Sequence, residues 1–203
     1  MEYQPEHAIE ILRQTPATLS AWLGDLTDPW THYSTDADAW SPYDVIGHLI
    51  HGEETDWIPR AVIILQEGQS RAFEPFNRFA QFEQSKGQSL GSLLEKFAQL
   101  RQQNLVTLKQ MNIASEQWAL RGTHPELGSV TLGQLVAAWV VHDLDHIHQI
   151  VVALAKLSFG AAGGVPMWKV SASDSPPPGA GLNTCTAAVP EDASRAAGTE
   201  AWR

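Results

Sequence analysis

Apolar residues recur along this chain with the helical period, and no stretch shows the alternation of a half-buried strand. Five helical patterns follow, and no strand is expected. The first runs from about Glu6 to Leu26, with Ile11, Leu12, Leu19, Trp22, Leu23 and Leu26 in register. Thr15-Pro16 interrupts it; Thr15 as an N-cap with Pro16 at the first helical position predicts a kink or a restart. The second helix starts sharply at Ser41, with Pro42 at its first position, Asp44 completing a capping box and Trp40 outside as a staple. It passes through Val45, Ile46, Leu49 and Ile50 to Trp57. Pro59 then bends it, or opens a short helix through Ile63, Ile64 and Leu65 that ends at Gly68.

Residues 69–88 are polar apart from Phe73, Phe76, Phe79 and Phe82, which predicts a loop pinned by aromatic anchors. A long helix follows from near Ser89 to about Met111, with Leu90, Leu94, Phe97 and Leu108 in register. After a connection carrying Pro125 and Gly128, Thr131 and Gln134 form a capping box for the last helix. That helix passes through Leu135, Val136, Trp139, Ile147, Ile150 and Leu154. Beyond about Lys156 the pattern stops. Residues 157–203 are rich in Gly, Ala, Ser and Pro, and too poor in large apolar side chains to offset their ordering entropy. They are expected to form a disordered tail on an all-α bundle spanning 1–156.

Composition narrows the function. With 203 residues, 43% hydrophobic and 18% charged, the chain suits one globular domain with an appended segment. A net charge of −10 and the lack of any Lys/Arg run argue against nucleic acid as a partner. The single cysteine, Cys185, excludes an internal disulfide and a multi-thiolate zinc site, and its place in the tail argues against a catalytic thiol. No stretch reaches the roughly 20 apolar residues of a membrane span, and the N-terminus lacks the charge and apolar core of a secretory signal. A cytoplasmic location without a membrane partner is expected. No phosphate-binding glycine loop or nucleophile elbow occurs.

The histidines carry what chemistry remains. His142 and His146 stand one helical turn apart on the stripe of Leu135, Trp139, Ile150 and Ala153. Two imidazoles in an apolar seam are costly unless something satisfies their nitrogens, and a metal does so directly. The bland reading is one buried, hydrogen-bonded ring and one reaching solvent. His48 lies two turns into the second helix, with Asp44 a turn before it and Gly52 a turn after. Asp44 is first a helix-start acid and second an acceptor for His48; Gly52 leaves room for a ligand or for close helix packing. His51, three residues on, is an alternative to His48 but is expected at the surface, as is His148; His7, His32 and His124 look like loop or helix-end residues. Three neutral imidazoles suit Zn²⁺, Ni²⁺ or Fe²⁺ rather than Mg²⁺ or Ca²⁺. The run His142-Asp143-Leu144-Asp145-His146 lacks the Glu and the downstream third ligand of a zinc peptidase. Asp143 and Asp145 are instead expected to be solvated, or to hold ring orientation.

The chain resembles the DinB-like family of bacterial four-helix proteins. The resemblance rests on Trp40-Ser41-Pro42 before the helix of His48, then Phe73-Glu74-Pro75-Phe76-Asn77-Arg78 and Phe97-Ala98-Gln99-Leu100-Arg101. It closes with Thr123-His124-Pro125-Glu126-Leu127-Gly128, Thr131-Leu132 and the run Trp139 to Ile147. It implies an up–down four-helix bundle with a long crossover and a divalent metal on His48, His142 and His146. It also implies a metal-dependent transferase that joins a low-molecular-weight thiol to a small electrophile, and a homodimer is a family-level expectation. The rival is a non-catalytic metal-binding stress-response or interaction module. Phe76, Trp57 and Trp139 are candidates for the pocket wall. Two departures stand out: Asn77 where the family loop usually carries Asp, and a Gly/Pro-rich tail where relatives often continue with a short aromatic segment.

Overall fold

The computed structural model describes residues 4–35 and 39–162, and within them the helical period becomes seven α-helices and one hairpin. In chain order these are α1 (Pro5–Leu23), α2 (Asp28–Thr31), α3 (Pro42–Thr55), α4 (Trp57–Gln66), α5 (Ala80–Ser85), α6 (Leu90–Gln110), β1 (Arg121–His124), β2 (Gly128–Thr131) and α7 (Leu132–Ala162). Both capping boxes form. Ser41 accepts from the Asp44 amide while Asp44 accepts from Ser41, and Thr131 and Gln134 do the same for α7. Among the described residues no helix is long and apolar enough to cross a membrane.

The long helices α1, α3, α6 and α7 make a four-helix bundle. Its core falls into two apolar clusters. One gathers Leu12, Trp57, Ile64, Leu108, Leu132, Val136 and Trp139; the other gathers Leu19, Leu23, Val45, Leu49, Leu94, Phe97 and Ile150. Following each helix from cluster to cluster gives its direction. Helices α1 and α7 run from the first to the second, while α3 and α6 run from the second to the first. The order is up, down, down, up, because the long crossover between α4 and α6 carries the chain back along the bundle. Helix α6 packs between α1 and α3, and α7 packs on the same two helices.

Four local features depart from the sequence expectations. Helix α1 does not restart at Thr15-Pro16; Pro16 lies inside one continuous helix. Proline cannot donate to the carbonyl four residues back, and that carbonyl, Leu12 O, instead accepts from Arg101 Nη1 at 2.8 Å. Second, the loop over 69–88 contains helix α5, packed on α3. Third, the strands β1 and β2 appear where none was expected. At four residues each they are too short to display alternation, and the turn is set by Gly128 at φ +72°. His124 Nδ1 accepts from the Glu126 and Leu127 amides and so closes that turn. Fourth, α7 continues to Ala162. The remainder of the tail expected over 157–203, from Gly163 onward, lies outside the described residues.

Candidate metal centre

His48, His142 and His146 come together. Each offers a ring nitrogen, and the three lie within 4.8 Å of one another. His48 Nε2 and His142 Nε2 are 3.0 Å apart. That spacing suits a ring-to-ring hydrogen bond, and equally an edge of one tetrahedral shell, whose nitrogens at about 2.0–2.1 Å from zinc sit a little over 3 Å apart. Gln149 Oε1 lies 3.0 Å from His146 Nδ1. An amide oxygen only accepts, so Nδ1 carries the proton and Nε2 is left with its lone pair free.

Burial keeps these rings neutral. Desolvation, then the neighbouring His146, His51 and Arg78, push His48 down to about 2. Burial drives His142 far below its ordinary value, and His146 and His48 add to the effect. His146 is lowered by burial against the pull of Gln149, Asp145 and Asp143. A metal needs the unprotonated imidazole, so the donor set fits a divalent transition ion.

Aromatic rings wall the trio. Trp40 does not act only at the helix start; its ring centre lies 4.7 Å from His48 and it stacks nearly parallel to His146 at 6.3 Å. Phe76 sets its edge on His48 at 5.3 Å. Trp57 meets His142 edge-on at 5.2 Å and stacks on Trp139 at 5.5 Å. Of the three wall candidates, Phe76 and Trp57 touch the imidazoles, whereas Trp139 stands behind Trp57. Gly52 serves packing: a Cβ there would meet Trp57 Nε1 at 3.3 Å.

Other polar residues lie elsewhere than expected. Asp44 is spent on the cap of α3, accepting from both the amide and the hydroxyl of Ser41. His51 is not at the surface; it is 6% exposed, with its ring 5.0 Å from Phe76. Asp145 and His148 are exposed. Asp143 is not solvated at all. It is fully buried and takes a two-pronged contact from Arg101, Nη1 to Oδ2 at 2.6 Å and Nη2 to Oδ1 at 2.9 Å.

This contact belongs to a buried layer between the two apolar clusters. Arg101, 1% exposed, also donates from Nε and Nη2 to Glu53 Oε1 at 3.0 and 2.7 Å. Trp139 Nε1 donates to the same oxygen, and Asn104 to Oε2. Burial pushes the Glu53 carboxyl up while Arg101 and Asn104 pull it down. Burial alone would lower Arg101, yet Asp143 and Glu53 hold it above its ordinary value. Asp143 neighbours His142 in sequence, so the grip on Asp143 fixes the turn of α7 that presents His142 and His146. Sequence reasoning passed over Glu53 and gave Arg101 no role. The signal was a charge at core spacing: Leu94, Phe97, Arg101 and Leu108 on α6, and Val136, Trp139, Asp143 and Ile150 on α7.

With this geometry in place, comparison with known proteins adds two findings. The model of the DinB superfamily matches residues 11–150. Among solved structures, YfiT from Bacillus subtilis has a similar fold, with a TM-score of 0.68 at 22% identity, covering 78% of this chain and 90% of that one. It is described as a probable metal-dependent hydrolase with an unusual four-helix bundle topology. No curated protein matches the chain.

Proposed function

The chain belongs to the DinB superfamily, and from that premise we propose that His48, His142 and His146 hold one divalent transition metal, Zn²⁺, Ni²⁺ or Fe²⁺. We propose further that the protein is a metal-dependent enzyme of small molecules, a thiol S-transferase first and a hydrolase at the same site second. The observation that carries this reading is the convergence of three imidazoles from two helices to within 4.8 Å. The hydrolase branch draws on the description of YfiT.

Held by His48, His142 and His146, a divalent ion would leave a position for a thiol or water and would supply the Lewis acidity that makes it nucleophilic at neutral pH. The chain's own groups prepare that position. Gln149 fixes the His146 ring so that Nε2 faces the centre. Trp40, Phe76 and Trp57 wall the imidazoles with aromatic surface. Arg101, through Asp143, holds the α7 turn in place.

Metal analysis of the purified chain beside His48→Ala, His142→Ala and His146→Ala tests the centre: one ion per chain is expected in the parent and loss of it in each variant. The metal-loaded protein is then mixed with several low-molecular-weight thiols and a chloronitrobenzene electrophile. A rate above the His142→Ala control supports the transferase; no rate with any pair removes it. An ion that refuses added thiol and leaves only when the bundle unfolds would mark a non-catalytic metal-binding module.

A further inference from the structure

The segment that roofs His48 carries polar groups without a hydrogen-bond partner among the described residues. Arg78 precedes α5, and its guanidinium lies over the rings of Trp40 and Phe79, 5.3 and 5.1 Å from their centres. Trp40 is the same ring that covers His48. Its guanidinium carbon stands over both rings, and its N–H groups remain for hydrogen bonding. Arg78 Nε is buried without a partner. Among the described residues, no carboxylate lies within ion-pair reach of Arg78, whereas Arg60 and Arg71 each have one and Arg101 has two. Through Trp40, Arg78 is placed at the aromatic wall of the trio.

Two further buried polar side chains, on α5 and on α3, are also unpartnered. Gln81, 1% exposed, has neither amide atom partnered, and it packs against Gly47, the residue before His48. His51 Nδ1 is likewise buried without a partner, under Phe76. Buried polar groups are rarely left unpaired, and clusters of them call for solvent or a polar ligand.

We infer that the site takes a substrate bearing a carboxylate, which pairs edge-on with Arg78 while the reacting part of the molecule lies at the imidazole trio. The inference rests on the reading of that trio as a metal centre. A carboxylate is favoured because its two coplanar oxygens match a guanidinium edge.

The test uses the whole chain loaded with cobalt(II), whose visible spectrum reports thiol binding. It is titrated with 3-mercaptopropanoate and with the matching amide, which differ only in the carboxylate. The ratio of the two affinities is compared between the parent and Arg78→Gln, so that intrinsic differences between the probes cancel. The parent ratio should favour the carboxylate by about tenfold more than the variant ratio does, the scale of one charge-assisted contact. Arg78→Lys keeps the charge without the planar edge and should retain only part of the preference. It also serves should the glutamine variant fail to fold: a lysine ratio equal to the parent's overturns the edge-on pairing. Equal ratios in the parent and Arg78→Gln, with both probes bound, overturn the substrate class and leave the metal centre standing. No spectral change of the cobalt-loaded chain with either probe overturns the open thiol-binding position of the proposed enzyme, and this inference with it.

Discussion

One guanidinium ties the four long helices together. Arg101 on α6 reaches Leu12 O on α1, Glu53 on α3 and Asp143 on α7. The contact with α1 exists because Pro16 leaves Leu12 O without its helical donor. A buried ion network of this kind costs much to desolvate, and breaking it by removing one partner leaves uncompensated charge inside. Arg101→Met strands two buried carboxylates and should cost about 3–5 kcal/mol, read from urea unfolding. A loss under about 1 kcal/mol, the scale of an exposed pair, would show the layer to be solvated. The same variant should weaken metal binding, because Asp143 loses the contact that holds the turn carrying His142.

At the scale of elements, the roof over the site depends on how closely α5 approaches α3. Gly47 makes that approach possible: a Cβ there would run into the Ser85 hydroxyl, while Ser85 Cβ and Gln81 Cβ would stay at 3.4 and 3.5 Å. Gly47→Ala should therefore push α5 outward and destabilise by about 1–3 kcal/mol, the usual cost of overpacking. Adding Ser85→Ala removes the clashing atom and should recover most of the loss in the same thermal or urea measurement. A double variant no better than the single one would place the strain elsewhere. The element boundaries set by short-range chemistry were legible in advance. Ser41 with Asp44 and Thr131 with Gln134 close their capping boxes within three residues, so their sequence suffices. Helix α5 and the hairpin were not legible, because α5 is held by α3 and the paired strands are only four residues long.

For the molecule as a whole, the buried imidazoles make stability depend on pH. An unfolded His48 takes up its proton near 6.5, whereas the folded ring stays neutral down to about 2. Between those values the unfolded chain binds the extra proton, so stability rises with pH and falls toward acid. Each such group contributes a slope of about 1.4 kcal/mol per pH unit in that window. The metal-free parent should lose stability on going from pH 6.5 to 4.5 more steeply than His48→Gln, by about that slope, as followed by urea unfolding at stepped pH. Equal slopes would mean that the folded ring titrates normally.

The order of apolar and polar residues settled that this chain builds long amphipathic helices, where the best capped of them begin, and that His142 and His146 stand one turn apart on a core-facing stripe. Those properties arise from the 3.6-residue period and from hydrogen bonds that span three or four residues. Direction and partnership were decided only in three dimensions. The up, down, down, up course follows from where the crossover delivers α6, which no local rule states. Asp143 next to His142 reads as a surface acid until Arg101, 42 residues away, turns out to face it. His51 reads as exposed until Phe76 covers it. In each case a charge or ring changes its role through a neighbour distant in the chain, because burial and pairing are properties of the packed interior rather than of the segment that carries the side chain.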